Sequence, residues 1–172
     1  TVSNDSIGDF VINSCKKIGI NTLLLEKVSN LKNTLAIVDT MGDKTNAVLY
    51  REKPADLFID ETFLKKVDLD SYLMIIVTGT SLSRNPSRNN VLKLMELAIK
   101  RKIEIVLDID YREGSWNDKK KAEKTLYSAS LLSNIVVGND LEFNFMSSDK
   151  NKGLSLASKL SKKNRITTIY KM

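Results

Sequence analysis

Charged side chains follow a predicted apolar strand in the segment "IEIVLDIDYREGSW", residues 103–116. Asp108, Asp110 and Arg112 stand at alternate positions, and alternate residues of an extended chain point to the same side, about 6–7 Å apart. Carboxylates on one face can bind sugar hydroxyls or the water around Mg²⁺. A guanidinium beside them can hold a phosphate or a substrate carboxylate. A plain Asp–Arg ion pair in a loop explains the same pattern, and the sequence leaves both interpretations open.

A second polar cluster stands in "GNDLEF", where Asn139 and Glu142 are three residues apart. If a helix begins here, both residues lie in its first turn, on neighbouring faces. The start of a helix favours anions, and Glu142 could hold a hydrated magnesium ion beside them. An ordinary N-cap with glutamate at the third helical position accounts for the same spacing.

The segment "TGTSLSRNPSR", residues 78–88, carries several hydroxyls and two arginines, Arg84 and Arg88. It can line a polar cleft or form an ordinary capped connection. It is not a Walker loop, because it lacks the Gly-Lys-Ser/Thr ending. We expect Asn85 to cap the next helix with Pro86 at its first position, and Trp116 to be a packing residue.

The 172-residue chain has no histidine and a single cysteine, which excludes several kinds of site. Ser-His-Asp and Cys-His catalysis, histidine-ligated zinc or iron, and an internal disulfide all need residues that are absent. Acid–base chemistry must therefore use carboxylates, lysine or tyrosine. The net charge of +6 suits anionic small substrates, and it invites a nucleic-acid interpretation as well.

We expect a cytoplasmic protein with no membrane partner. Residues 1–9 show no basic region followed by an apolar core, as a signal peptide would. No apolar run approaches the roughly 20 residues that a membrane-spanning helix needs.

Strand and helix patterns alternate along the second half of the chain. Apolar runs such as Leu73–Val77 and Ile103–Leu107 indicate strands covered on both faces. Right-handed crossovers then predict an α/β fold with a doubly wound, mainly parallel sheet, which binds ligands beyond the carboxyl ends of its strands. Ahead of this region, Thr34–Thr40 and Thr45–Tyr50 flank "MGDK" and predict a β-hairpin.

The order of motifs resembles that of the ribokinase (phosphofructokinase-B) sugar kinases along essentially the whole chain. "VSNDSIGDFVINSCKKIGINT" resembles the family's "V-G-x-D-x-x-G … G-V-x-T" segment, with Ser3 where glycine is usual. "DIDYREGSW" resembles its "D-x-N-x-R … W" element, with Asp110 in place of asparagine, and "GNDLEF" matches its "N-x-x-E" motif. The combination of "YREKPAD", "GTSLSRNPSR" and "DIDYR…W" looks most like the branch that acts on 5-dehydro-2-deoxygluconate.

This resemblance implies ATP-dependent phosphorylation of a sugar or sugar-acid hydroxyl, with ATP and Mg²⁺ at the carboxyl edge of the sheet. Asn139 and Glu142 would organise the phosphates and the magnesium ion, which Glu142 would reach through water. Lys171 falls where the family places a residue that contacts the nucleotide.

The resemblance also implies which residues contact the sugar. Residues 34–51 would form part of a small β lid over it, and the substrate-binding residues would be these: Asp5, Tyr50, Arg51, Asp108, Asp110 and Arg112.

We expect residues 1–172 to form one incomplete ribokinase-like α/β domain, an internal fragment of a longer kinase. The family's glycine-rich segment would precede Thr1, and its "G-A-G-D" motif with the aspartate base would follow Met172. No catalytic base is therefore expected in this fragment, which we expect to be inactive by itself.

Two other functions remain open at this point. One is a non-catalytic α/β module that binds a nucleotide or a sugar, and the other is a nucleic-acid-binding protein, which rests on charge alone and which we do not favour. A homodimer through the lid or through an exposed sheet edge is also expected.

Overall fold

The computed structural model describes residues 1–41, 44–149, 151–164 and 166–172, with the backbone alone at 41, 44–47, 163 and 164. The chain divides into two compact units, Thr1–Ile59 and Asp60–Met172. Among the described residues, no helix is long and apolar enough to cross a membrane.

The first unit begins with a short parallel strand pair around one helix. Strands β1 (Val2–Ser3) and β2 (Lys27–Val28) pair in parallel, and helix α1 (Ser6–Lys17) lies between them in sequence. The Asp5 side chain caps this helix, because it accepts hydrogen bonds from the first-turn amides of α1. Gly19 follows the end of the helix with a φ of +82°, a conformation that glycine adopts without strain.

The rest of the first unit contains the predicted hairpin. Strands β3 (Leu35–Met41) and β4 (Lys44–Tyr50) pair antiparallel, in a register that sets Leu35 opposite Tyr50. Of the predicted turn "MGDK", residues 41–44, Met41 and Lys44 pair as the ends of the two strands, and residues 42–43 lie outside the described residues. Ile37 and Val48 oppose each other and are both more than half exposed, so this ribbon leaves apolar side chains uncovered.

The second unit is built on four parallel strands in the order β5-β6-β7-β8. Its strands are β5 (Met74–Thr78), β6 (Glu104–Asp108), β7 (Ile135–Asn139) and β8 (Thr167–Lys171). Its helices are α2 (Glu61–Lys66), α3 (Ser87–Lys100), α4 (Lys119–Leu131), α5 (Asp140–Met146) and α6 (Gly153–Asn164). The predicted α/β class with a mainly parallel sheet is confirmed.

One face of this sheet carries the core. Ile105 and Leu107 of β6 and Ile109, the residue after it, point to one side and are fully buried, as are Met95 of α3 and Leu126 of α4. Because every second side chain of a strand points to the same face, the apolar residues of each strand line the face that packs against the helices. The expectation of cover on both faces is wrong for β5, because Ile76 is 71% exposed on the other side.

Two local expectations shift by a residue. The first two strands of the sheet end at Thr78 and Asp108, one residue later than predicted, because the parallel ladder pairs these two residues. Helix α3 begins at Ser87 with Pro86 as its N-cap and no side-chain cap, so the prediction of Asn85 as the cap is wrong. Trp116 is buried, as predicted.

Candidate functional site

The four parallel strands end together and create one polar edge. The ladder pairs Thr78 with Asp108, Asp108 with Val137, and Asn139 with Lys171. Adjacent strands lie about 4.8 Å apart, so the segments that follow them are neighbours in space. We call this side of the second unit the carboxyl edge.

A close backbone approach holds the first two of these segments together. A Cβ built on Gly79, the residue after β5, would lie 2.0 Å from the carbonyl oxygen of Ile109 and 2.6 Å from Leu126 Cδ2. The amide of Ile109 in turn donates to the Val137 carbonyl at 2.9 Å. Glycine at position 79 therefore lets the loop after β5 lie directly against the end of β6.

The loop after β6 brings Asp110 and Arg112 together as an ion pair. Asp110 has a φ of +32°, so the extended chain ends before it and the predicted strict alternation does not continue. Its carboxylate accepts from Thr80 Oγ1 at 2.5 Å and from Arg112 Nε at 3.0 Å and Nη2 at 2.9 Å. The Arg112 side chain is 67% exposed, which leaves the rest of its guanidinium open to an anionic ligand.

Asp108 differs from Asp110 because nothing in the protein holds its carboxylate. Its side chain is half-buried at the end of β6 and makes no hydrogen bond or ion pair with the described residues. An aspartate at this edge is therefore a free acceptor for hydroxyl groups or for metal-bound water.

Asn139 and Glu142 form a capping box at the start of α5. The Glu142 amide donates to Asn139 Oδ1 at 2.9 Å, and the Asn139 amide donates to Glu142 Oε2 at 2.8 Å. Glu142 is buried at 7% exposure. Its other oxygen, Oε1, accepts no hydrogen bond from the described part of the chain. The capping interpretation is thus present in the structure, with one carboxylate oxygen left over.

Lys171 ends β8 at the same edge, directly across from Asn139. Its side chain is exposed and pairs with no carboxylate of the described residues. The neighbouring Tyr170 ring packs on Phe143 of α5 with ring centroids 5.2 Å apart, which fixes the end of β8 against the helix that Asn139 caps.

Two residues of this edge escaped the sequence predictions. Thr80 was one hydroxyl among several in its loop, and only the fold shows that it bonds Asp110. Tyr111 stacks on Phe145 of α5 at a centroid distance of 3.6 Å. Burial, helped by the charge of Glu113, raises the pKa of Tyr111. In the sequence, the only indication that Tyr111 belongs to this edge was its position between Asp110 and Arg112.

The site residues predicted in the first unit are held by local partners. Asp5 accepts from Ser3 Oγ at 2.6 Å, from the Gly8 amide at 3.2 Å and from Lys32 Nζ at 3.3 Å. The hydrogen bond from Ser3, then that from Gly8, then Lys32 lower the pKa of Asp5 to about 2. Asp5 is therefore ionised at neutral pH.

Tyr50 ends the hairpin, Arg51 follows it, and the two side chains differ in exposure. Tyr50 is 58% exposed at the end of β4. The Arg51 side chain is only 8% exposed and forms an ion pair with Asp56, which also accepts from Thr34 Oγ1 at 2.6 Å. Tyr50 thus offers a free side chain, and Arg51 belongs to a local polar cluster.

The donors at the carboxyl edge fit a hydrated Mg²⁺ better than a directly ligated metal. Within the described ranges, no three acidic, histidine or cysteine side chains converge as a metal cage. The groups present are oxygen donors, Asp108 and Glu142 Oε1, and Mg²⁺ keeps several of its waters when bound by so few carboxylates.

Relatives of known name match most of this chain. The 5-dehydro-2-deoxygluconokinase of Clostridium tetani is 33% identical over 148 residues, which are 85% of this chain and 44% of that protein. The enzyme of the same name from Mesomycoplasma hyopneumoniae strain 232 is 33% identical over 142 residues, or 80% of this chain and 41% of that protein. The chain thus spans less than half the length of the curated relatives it matches.

Solved structures share the fold at lower identity. A fructokinase from Xylella fastidiosa superposes with a TM-score of 0.81 at 18% identity, over 99% of this chain and 56% of that one. A sugar kinase from Pyrococcus horikoshii in complex with ATP gives 0.70 at 22% identity, over 86% and 48%. The model of the pfkB family carbohydrate kinases matches residues 1–171. The chain therefore belongs to the pfkB family of carbohydrate kinases.

Proposed function

We propose that this chain serves the ATP-dependent phosphorylation of a hydroxyl group on a sugar or sugar acid. The observation that carries the proposal is the carboxyl edge, where Asp108, Asp110 and Asn139 emerge from neighbouring parallel strands. Family membership over residues 1–171 supports the reaction type.

A sugar acid is the substrate class that we favour. The relatives at 33% identity are named 5-dehydro-2-deoxygluconokinases. The free carboxylate of Asp108 would accept hydrogen bonds from sugar hydroxyls, and the exposed guanidinium of Arg112 would bind the acid group while Asp110 orients it. From the family resemblance, Asp5, Tyr50 and Arg51 are further proposed contacts to the sugar.

ATP is the proposed phosphate donor, bound where β7 and β8 end. Asn139 and Glu142 would position the phosphates, and the Lys171 ammonium would neutralise part of their charge. A magnesium ion, held through water by Glu142 Oε1, would neutralise charge that develops on the transferred phosphoryl group. Phosphoryl transfer depends chiefly on positioning and charge stabilisation, and these side chains would contribute to both.

The 172 residues contain no "G-A-G-D" sequence, and we propose that they hold no catalytic base. The isolated chain would therefore bind ligands but not transfer phosphate. The test is calorimetric titration with Mg-ATP and with 5-dehydro-2-deoxygluconate, followed by a coupled ADP-release assay on the chain and on the full-length gene product. We expect binding by the chain and turnover by the full-length product alone. Turnover by the chain, or none by the full-length product, would contradict the proposal.

A non-catalytic module that binds a nucleotide or sugar is the second candidate. Asp108 favours it, since a free carboxylate at the edge needs no catalytic base in order to bind a ligand. Binding without turnover by the full-length product would select this function.

We further propose a cytoplasmic location, and a homodimer through the hairpin, whose Ile37 and Val48 expose apolar surface. Light scattering of the chain that reports a monomer at all concentrations would exclude the dimer.

A further inference from the structure

A polar groove in the second unit lies between the start of α3 and the start of α4. It encloses about 370 Å³, and we call it the Trp116 groove. The residues that matter among those lining it are Ser83, Arg84, Arg88, Trp116, Asp118 and Lys121. Ser83, Arg84, Trp116 and Asp118 precede the two helices in the chain, and Arg88 and Lys121 lie in the first turns of α3 and α4.

Unpaired buried polar atoms are concentrated in the side chains of this groove. Arg84 Nε, Trp116 Nε1 and Ser83 Oγ are all buried and have no hydrogen-bond partner among the described residues, and Ser83 and Trp116 are more than nine-tenths buried as residues. Guanidinium and indole N–H groups can only donate. Because buried donors are costly when unpaired, the partner that this cluster lacks is a hydrogen-bond acceptor.

The charge of the groove is also uncompensated. Arg84, Arg88 and Lys121 are cationic, and no carboxylate of the described residues pairs with any of them. The one carboxylate in the groove, Asp118, caps α4 by accepting from the Lys121 amide at 3.0 Å. Arg84 and Arg88 are half-buried and Lys121 is exposed, and three cations around one groove without a counter-ion favour a ligand of negative charge, so the acceptor that suits this groove is an anion.

Arg88 is fixed in place and shapes the groove. Its Nε donates to the Leu82 carbonyl at 2.7 Å, its Nη2 donates to the Ser83 carbonyl, and its guanidinium lies over the Trp116 ring at 5.6 Å. Burial lowers the pKa of Arg88. The Arg84 side chain makes no such contacts within the described residues, so its guanidinium is the group that remains available to a ligand.

We propose that the Trp116 groove binds a small oxyanion, a carboxylate or a phosphate, with Arg84 as its principal donor. Both anions offer planar or tetrahedral oxygen pairs that match the fork of an arginine. This oxyanion site is independent of the phosphoryl transfer proposed above, because none of its residues is assigned to the sugar or to ATP.

The chain contains a single tryptophan, so intrinsic fluorescence reports on this groove directly. The chain is titrated with sodium phosphate and, separately, with sodium gluconate, against sodium chloride at matched ionic strength. We expect a saturable change in Trp116 emission with at least one oxyanion and none with chloride. A stronger response to gluconate identifies a carboxylate site, and a stronger response to phosphate identifies a phosphate site.

Arg84→Ala and Lys100→Ala form the matched pair of variants. Each removes one positive charge from the second unit, but Lys100 is exposed at the far end of α3. We expect Arg84→Ala to weaken binding at least tenfold and Lys100→Ala to leave it unchanged, with both melting as the unmodified chain does. Absence of a saturable response, or equal weakening by the two variants, would overturn the proposal.

Discussion

The carboxyl edge holds two acidic groups of opposite character, at the end of β6 and at the start of α5. Asp108 is half-buried and has no partner among the described residues, whereas Glu142 is buried and accepts from the Asn139 backbone. A carboxylate oxygen bound to a backbone amide, such as Glu142 Oε2, stabilises the fold, and an oxygen without a partner, such as those of Asp108 or Glu142 Oε1, is available to a ligand. The comparison shows that the location of a carboxylate at the end of a strand does not by itself indicate its role. The hydrogen-bond partners of each carboxylate oxygen indicate that role.

The largest loss of stability is expected from a substitution that separates the two loops at the carboxyl edge. Gly79→Ala would place a methyl group 2.0 Å from the Ile109 carbonyl oxygen, and overpacking against backbone destabilises by about 1–3 kcal/mol, here at the upper end. Urea unfolding followed by Trp116 fluorescence measures this loss. Gly114→Ala is the control, because nothing lies within 4 Å of its added Cβ. Equal stability of the two variants would show that the loops do not approach as described.

Glu142→Ala removes the carboxylate that completes the capping box of α5. The variant loses the capping hydrogen bond to the Asn139 amide, which costs about 1–2 kcal/mol of unfolding free energy. Glu142→Gln keeps an acceptor oxygen and should lose less. The measurement is again urea unfolding, and a variant Glu142→Ala as stable as the unmodified chain would remove the distinction from Asp108.

Asp110→Asn and Asp108→Asn separate the paired aspartate from the free one. Asp110→Asn weakens an ion pair with an exposed arginine, so a loss of up to about 1 kcal/mol is expected. Asp108→Asn breaks no contact within the described chain and should change stability by less than about 0.5 kcal/mol. Calorimetry should nevertheless show weaker sugar-acid binding for Asp108→Asn. Unchanged binding would show that Asp108 does not contribute to ligand binding.

In the first unit, Asp5 is a carboxylate with hydrogen-bond partners, and its contribution to stability is expected to be smaller and to depend on pH. Ser3, Gly8 and Lys32 lower the pKa of Asp5 to about 2, below the unfolded value of about 3.9. The carboxylate therefore contributes stability above about pH 4, and this contribution is lost as the pH falls through the folded pKa, toward about 2. Far-UV circular dichroism during urea unfolding between these limits should show a shallower pH dependence for Asp5→Asn. Identical slopes would contradict the assignment.

Much of this architecture could be predicted because it is encoded locally. The apolar runs, the hairpin and the "GNDLEF" helix start each depend on residues adjacent in sequence. Motif order also indicated the family. The features that could not be predicted depend on residues distant in sequence: the positive φ of Asp110 arises where Thr80 meets it from another loop.

Amide chemical-shift mapping of the ¹⁵N-labelled chain tests the central claim most directly. Mg-ATP and 5-dehydro-2-deoxygluconate are titrated separately. If the carboxyl edge is the ligand site, the largest shifts fall at residues 78–80, 108–112, 139–142 and 171. Shifts concentrated at the opposite ends of the strands, at residues 73–74 and 103–104, or no saturable shifts with either ligand, would contradict it.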